Sequence, residues 1–211
     1  HWYDKHGIPL RTRLIAYISE LNKLGALFPS VFNFFLSNKL TSGIIKKVTG
    51  FASQRSIPLL YRKTLRSWVK ENLNKLNPAD PERSICLFID EFTNYNDTEI
   101  GIDAIRLLTA LNYKVITVDH SVSARTFISK GLVRKAARIV NRNILALEKV
   151  VSDDVPLIGL EPSAILGFRD EYPELADKEL IPSILKISKN SFLLEEFITN
   201  EFRNGRIDRE L

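Results

Sequence analysis

Cysteine occurs once in the 211 residues, at Cys86, and methionine is absent. One thiol excludes an intramolecular disulfide and cannot by itself build the clustered thiolate sites of zinc or iron–sulfur chemistry. No glycine-rich loop follows any strand-like run, so the usual dinucleotide fingerprint is missing. No Gly-x-Ser-x-Gly elbow is present either. Apolar runs are short, none approaching the ~18 residues needed to span a bilayer. The amino end lacks the basic flank, apolar stretch and small-residue cleavage site of a signal peptide. These features lead to the expectation of a reducing, cytoplasmic setting. A start at His1-Trp2-Tyr3 without methionine leads to the further expectation of a piece of a larger protein. What is present has the balance of a soluble globular chain: 45% hydrophobic, 26% charged, nine glycines and nine prolines. That composition excludes collagen, coiled coil and disorder.

The net charge of +5 is unevenly spread. Residues 1–75 carry 13 Lys and Arg against three acids, and residues 76–211 carry 17 against 22. A basic first third suits nucleic acid, an anionic membrane surface or an acidic partner domain. Its charges are scattered, with only Lys46-Lys47 and Arg62-Lys63 adjacent, which favours a solvated or docking face over nucleic-acid binding.

Apolar periodicity divides the chain in the same place. Leu10, Leu14, Tyr17, Leu21, Leu24 and Phe28 recur at three- and four-residue spacing, as on one amphipathic helix ended by Pro29. Val31, Phe32, Phe34, Phe35 and Leu36 suggest a helix packed against something, and Leu59-Leu60 with Leu65, Trp68 and Val69 form a third segment. From residue 84 the pattern is regular. Ile85 to Ile89, Lys114 to Val118 and Val155 to Leu160 are unalternating strand-length runs, separated by helical segments at 97–111 and 124–150. Ile100, Ala104, Leu108 and Leu111 are expected on one face of the first of these helices. Residues 178–204 read as helical, with Gly205 as a cap. Strands of this kind alternating with helices specify a parallel sheet buried on both faces. The expected fold is α/β, a Rossmann-like parallel sheet with flanking helices over 81–211, preceded by an all-helical segment over 1–80.

In the 124–150 helix, Ile128, Leu132, Ala136, Val140 and Ile144 mark the buried stripe. Lys130, Arg134, Arg138 and Arg142 lie about 200° away, as a basic ridge for an acidic partner or as a solvated face. Ligands of open parallel sheets bind beyond the carboxyl ends of the strands. The segments expected there are Asp90 to Asn96, Asp119 to Arg125 and Glu161 to Ala164. Asp119, His120, Ser121 and Ser123 invite a nucleophile and base, but serines beside a helix start also serve as caps. Glu91, His120 and Glu161 could converge on a metal. Arg169-Asp170 reads as a structural ion pair or cap.

The same segments carry a resemblance. Phe92-Thr93-Asn94-Tyr95-Asn96, the stretch Arg125 to Leu132, and above all Glu161-Pro162-Ser163-Ala164-Ile165-Leu166-Gly167-Phe168-Arg169-Asp170-Glu171-Tyr172-Pro173 resemble the cysteine-rich CCG module of iron–sulfur oxidoreductases. The pattern is similar to FAD-linked oxidases of the glycolate oxidase and D-lactate dehydrogenase type, and Tyr3 to Arg13 resembles the linker after their ferredoxin-like segment. The resemblance implies FAD and a 4Fe-4S cluster elsewhere in the full-length protein, with the flavin and ferredoxin-like domains of the same polypeptide as partners. A membrane surface or an acceptor protein is a further partner of that class, which allows a peripheral place at the inner membrane face. In the module, cysteines follow the first strand, form a Cys-Cys-Gly after the second, and open the helix after the third. Here Glu91, Val122-Ser123-Ala124 and Ala164 stand at those positions. The expectation is therefore an accessory domain with no catalytic residue, no cofactor and no metal of its own. Three roles remain open: docking and electron-transfer support, autonomous binding of a small anion or metabolite in a cleft of Asn94, Tyr95, His120, Arg125, Glu161 and Ser163, or attachment to an anionic membrane surface through the basic first third.

Overall fold

A computed structural model describes residues 2–207. His1 and residues 208–211 lie outside it. Helices α1 (Trp2–His6), α2 (Leu10–Ala16), α3 (Ile18–Gly25), α4 (Pro29–Ser37) and α5 (Lys39–Thr49) come first, and an irregular stretch leads to α6 (Leu65–Leu76). There follow β1 (Arg83–Phe88), α7 (Glu91–Tyr95), α8 (Thr98–Ala110), β2 (Tyr113–Ile116), α9 (Arg125–Ser129) and α10 (Val133–Leu147). The chain continues through β3 (Leu157–Gly159), α11 (Pro162–Ile165), α12 (Glu171–Leu175), α13 (Ile181–Lys189), β4 (Ser191–Leu193) and α14 (Leu194–Arg203).

The four strands are parallel, in the order β2-β1-β3-β4. After β2 the chain crosses back to the other side of β1, which places the topological switch point between β1 and β3. Successive side chains of a strand face opposite ways, and β1 shows why its run is apolar throughout. Ile85 and Leu87 enter a core with Leu65, Val69, Ile105, Leu108 and Phe197, whereas Cys86 and Phe88 enter a second core with Phe127, Val140, Ile144, Phe168 and Ile187. This confirms the expected α/β class with its parallel sheet and helical first segment. α6 is one of the helices that cover the sheet, although it falls within 1–80.

Several expected elements are redrawn. The single helix over 124–150 is two helices, broken at Lys130-Gly131-Leu132, where Gly131 has φ +70°. Ala136, Val140 and Ile144 are buried as expected, with Ile128 and Leu132 half-buried beside them. The expected helix over 178–204 contains β4, a three-residue strand that adds the fourth edge to the sheet. Gly205 does follow α14 with φ +71°. On α8 the buried residues are Gly101, Ala104, Ile105 and Leu108, while Ile100 is exposed, because the covering face is rotated by one residue.

The first helices depart most from their periodicity. α2 and α3 are separated at Tyr17, and α4 opens at Pro29 rather than ending a helix there. The residues buried on α2 and α3 are Ala16, Ser19, Asn22 and Gly25, whereas Leu10, Leu24 and Phe28 are exposed. Leu14, Ile18 and Leu21 instead line, with Phe32, Leu36 and Phe51, an apolar cavity of about 580 Å³. No helix among the described residues is long and apolar enough to cross a membrane.

Candidate functional site

β1 and β2 end against a polar cleft of about 470 Å³, walled by α3, α6, α7 and α10. Each strand end is fixed by its own hydrogen bonds. Asp90, buried at the start of α7, accepts from the N–H groups of Phe92 (2.8 Å) and Thr93 (3.0 Å) and from the Thr93 hydroxyl. These bonds cap the helix. Burial nevertheless pushes the Asp90 carboxyl above its ordinary pKa, with Glu161 adding like-charge repulsion.

Glu91 is buried without a cationic partner among the described residues. Its two carboxylate oxygens accept from the Ser123 N–H at 2.8 Å and the Ser123 hydroxyl at 2.9 Å. Burial raises its pKa, and the Ser123 hydrogen bonds only partly oppose that rise. The loop holding Ser123 is pinned from α10 by Asn143, whose amide donates to the Val122 carbonyl and the Tyr172 hydroxyl and accepts from the Ser121 N–H. Tyr172 in turn donates to the Ser123 carbonyl at 3.0 Å. Ala124 closes this loop at φ +64°, a left-handed conformation more natural to glycine.

His120 stacks on Phe88, with ring centroids 4.2 Å apart. Its Nδ1–H donates to the Ser121 carbonyl at 2.6 Å and its Nε2 accepts the Ile89 N–H at 3.2 Å. That pattern requires the neutral Nδ1–H tautomer. Burial and the adjacent Arg66 guanidinium hold the imidazole pKa down to about 3, so the ring stays neutral at physiological pH. Arg66 lies 3.2 Å from both ring nitrogens, donates to the His120 carbonyl at 3.1 Å, and meets the fully exposed Asp119 at 3.5 Å. A fully engaged, neutral His120 is a packing and positioning group, and among the described residues no serine hydroxyl hydrogen-bonds it.

The expected site residues divide into two places. Asn94, Tyr95 and His120 line the cleft together with Glu91 and Val122. Asn94 also accepts the Arg66 N–H at 3.0 Å, which ties α7 to α6. Glu161 caps α11 by accepting from Ser163, through its N–H and its hydroxyl. Arg125 pairs with Glu171 at 2.5 Å. Arg169 does not pair with Asp170; it binds Glu196 and the Ser191 carbonyl, joining α14 to β4. Cys86 is fully buried in β1, its thiol pushed up to about 12 by burial. Ala164 is also buried. Among the described residues no group of three or more His, Cys, Asp and Glu side chains could hold a metal ion, so Glu91, His120 and Glu161 do not converge.

Sequence reasoning misses Arg66, Lys23 and Asn143. Arg66 comes from α6, 54 residues before His120. No local pattern signals that meeting, and Lys23 looks like one more scattered charge of the first third. Asn143 does carry a signal: it is the polar residue next to Ile144 on the otherwise apolar buried side of α10.

Fold and site together define a three-layer α/β domain whose strand ends hold a hydrogen-bonded polar cleft in place of a nucleotide loop. The relatives of this chain are dehydrogenases. It is 26% identical over 177 residues to D-2-hydroxyglutarate dehydrogenase of Escherichia coli (strain K12), covering 81% of this chain and 17% of that protein. The enzyme of the same name from Pantoea ananatis (strain AJ13355) is 27% identical over 183 residues, 82% of this chain and 18% of its own length. One subunit of the anaerobic glycerol-3-phosphate dehydrogenase of Escherichia coli (strain K12) is 22% identical over 175 residues, 82% of this chain and 44% of its own length. The chain thus spans less than a fifth of these D-2-hydroxyglutarate dehydrogenases and less than half of the glycerol-3-phosphate dehydrogenase polypeptide. No protein-family model and no solved structure matches it.

Proposed function

We propose that this chain is an accessory domain of a larger flavin and iron–sulfur oxidoreductase acting on a small 2-hydroxy acid, and that it carries no cofactor of its own. The observation that carries this reading is the Glu91–Ser123 pair. Two positions at which the CCG module places cysteines are hydrogen-bonded to each other here, at 2.8 and 2.9 Å. A third, Ala164, is a buried methyl. A carboxylate already satisfied by a serine at two of these positions, and an apolar methyl at the third, do not fit a thiolate-bound cluster. The left-handed Ala124 supports the same reading, since it keeps at the glycine position of Cys-Cys-Gly a backbone that glycine adopts without strain. The names of the relatives support dehydrogenase chemistry for the whole protein.

FAD and a 4Fe-4S cluster would belong to other parts of that polypeptide. The contribution of this domain would be a docking surface for the flavin and ferredoxin-like parts, and the exposed apolar residues of α3, α4 and α5 support that role. Metal analysis and the visible absorption spectrum of the chain, purified without oxygen, test the proposal. The expected result is sub-stoichiometric iron and zinc and no charge-transfer band. One equivalent of either metal, lost in Glu91→Ala, would overturn it.

A further inference from the structure

Helices α2, α3, α4, α5 and α7 and the irregular strap before α6 meet around the apolar cavity of about 580 Å³, a volume within the range of small-molecule sites. Leu14, Ile18, Leu21, Phe32, Ile45 and Phe51 form much of its wall, each only half-buried. Close-packed interiors leave few voids larger than a water molecule, so a hole of this size needs a frame that keeps it open. That frame is polar. Asn33 of α4 clasps the strap at Leu60, donating to its carbonyl at 2.7 Å and accepting its N–H at 2.9 Å. The strap is tied to the end of α7 by Asn96, which donates to the Leu59 carbonyl at 3.0 Å, and by the Tyr61 N–H, which donates to the Tyr95 carbonyl at 2.9 Å. Asn22 of α3 closes the ring by donating to Asn96 at 3.0 Å. Gly25 shows that the walls already touch beside the cavity: a methyl added there would lie 2.7 Å from Leu60 and 2.9 Å from Phe32, so α3 cannot slide inward to fill the hole.

One polar group on the wall is left with a free acceptor. Asn22 is 4% exposed and lines the cavity. The Asn96 amide must turn its N–H toward the Leu59 carbonyl, so its Oδ1 faces Asn22, and the atom of Asn22 that meets it must be Nδ2. That orientation leaves Asn22 Oδ1 with no donor among the described residues. Among the same residues no Lys, Arg or His lines the cavity, and its one carboxylate is Asp97. Arg11 stacks on Phe51, 5.8 Å from the ring centroid, without joining the lining.

We propose that this cavity binds an uncharged apolar molecule through a single hydroxyl that donates to Asn22 Oδ1. The inference stands on the cavity alone and does not depend on the reading given under Proposed function. An anionic head is disfavoured, because it would lose its water beside Asp97 with no cation in the wall to replace it. A carbonyl head has no proton to give to Asn22 Oδ1, whereas a hydroxyl does.

Isothermal titration of the full 211-residue chain with decanol, methyl octyl ketone and decanoate, which share one carbon count, tests the proposal. Decanol should bind with one-to-one stoichiometry and raise the melting temperature, since a ligand of the native state stabilises it. The ketone should bind roughly threefold or more weakly for want of a donor, and decanoate roughly tenfold or more weakly. Ile45→Phe, which fills the cavity, should weaken decanol by roughly tenfold or more without lowering the melting temperature of the free chain. Asn22→Leu should bring decanol and the ketone to equal affinity. Phe34→Ser, on the exposed side of α4, should leave decanol binding unchanged, which separates the cavity from the apolar surface. No saturable binding of decanol up to its solubility limit would overturn the proposal. So would equal affinity for all three probes, unaltered decanol affinity in Ile45→Phe, or loss of binding in Phe34→Ser.

Discussion

The imidazole of His120 stays uncharged because its burial, the Arg66 guanidinium beside both nitrogens and the Ile89 N–H on Nε2 outweigh the Ser121 carbonyl, the one neighbour that favours the cation. Its pKa of about 3 in the folded chain lies below the ordinary 6.5. Between those values the unfolded chain binds the extra proton and the folded chain does not. The contribution of neutral His120 is therefore complete above pH 6.5 and is lost as pH falls toward 3, at up to about 1.4 kcal/mol per unit. Buried Glu91 works in the opposite sense. Its pKa is raised in the folded chain, so folding costs more as pH climbs through the ordinary carboxylate range. Urea unfolding of wild type and His120→Gln from pH 4 to 7 separates the two, since both proteins share Glu91. The stability difference between them should shift steadily in favour of the glutamine variant as pH drops. A pH-independent difference would show that His120 takes up its proton as readily in the folded chain as in the unfolded one. Glu91→Gln should give the converse, gaining on wild type as pH rises from 4 to 7 in the same titration.

Elements in this fold are held at distances that two glycines set. A methyl added at Gly101 on α8 would lie 2.2 Å from Leu65 Cδ2 of α6, and one at Gly159 in β3 would lie 2.4 Å from Ile165 Cβ of α11. Gly101→Ala and Gly159→Ala should each lower unfolding stability by about 1–3 kcal/mol, because close-packed neighbours must shift. Gly43→Ala is the control. It lies in α5 with nothing within 4 Å of the new methyl, and should raise stability by about 0.5–1 kcal/mol through helix propensity. Chemical denaturation of the three variants checks all of this. These contacts also explain which elements are legible in the sequence. β1 buries both faces, so it could not be other than an apolar run, and the stripe of α10 follows a 3.6-residue period with one sheet face to meet. β4 is hidden because three residues, Ser191 to Leu193, are too few to show a period. The break before α10 is hidden because Gly131 interrupts a stripe that continues in phase on either side. The cleft is half legible: strand ends announce where a ligand edge lies, but the meeting of Arg66 with His120 is made by α6 folding back over the sheet.

At the scale of the whole molecule there are two packing regimes, one in the first five helices and one in the sheet with its covering helices, α6 of the basic part included. The sheet buries apolar residues on both faces, whereas α3, α4, α5 and the turn before α4 leave many of theirs in water. Phe28 is 72% exposed, Leu27 69%, Phe34 59% and Val31 57%, a clustering that exceeds the scattered apolar residues of an ordinary monomer surface. The periodicity of 10–28 does mark amphipathic helices, but the face that packs within this chain is the small one, Ala16, Ser19, Asn22 and Gly25. The large residues point away from it, toward the cavity or the solvent. Such a surface can be made polar at little cost in stability, because its side chains lose little burial on substitution. The purified chain should bind an apolar dye strongly and self-associate as its concentration rises, followed by light scattering on a sizing column. Replacing Leu27, Phe28, Val31 and Phe34 together, as Leu27→Gln, Phe28→Ser, Val31→Thr and Phe34→Ser, should abolish both behaviours. Surface changes away from the core typically move stability by less than about 0.5 kcal/mol each, so the urea midpoint should move little. A large fall in that midpoint would mean that these residues pack within the chain itself. Unchanged association would place the sticky surface elsewhere on the molecule and remove the support that α3, α4 and α5 give to a docking role.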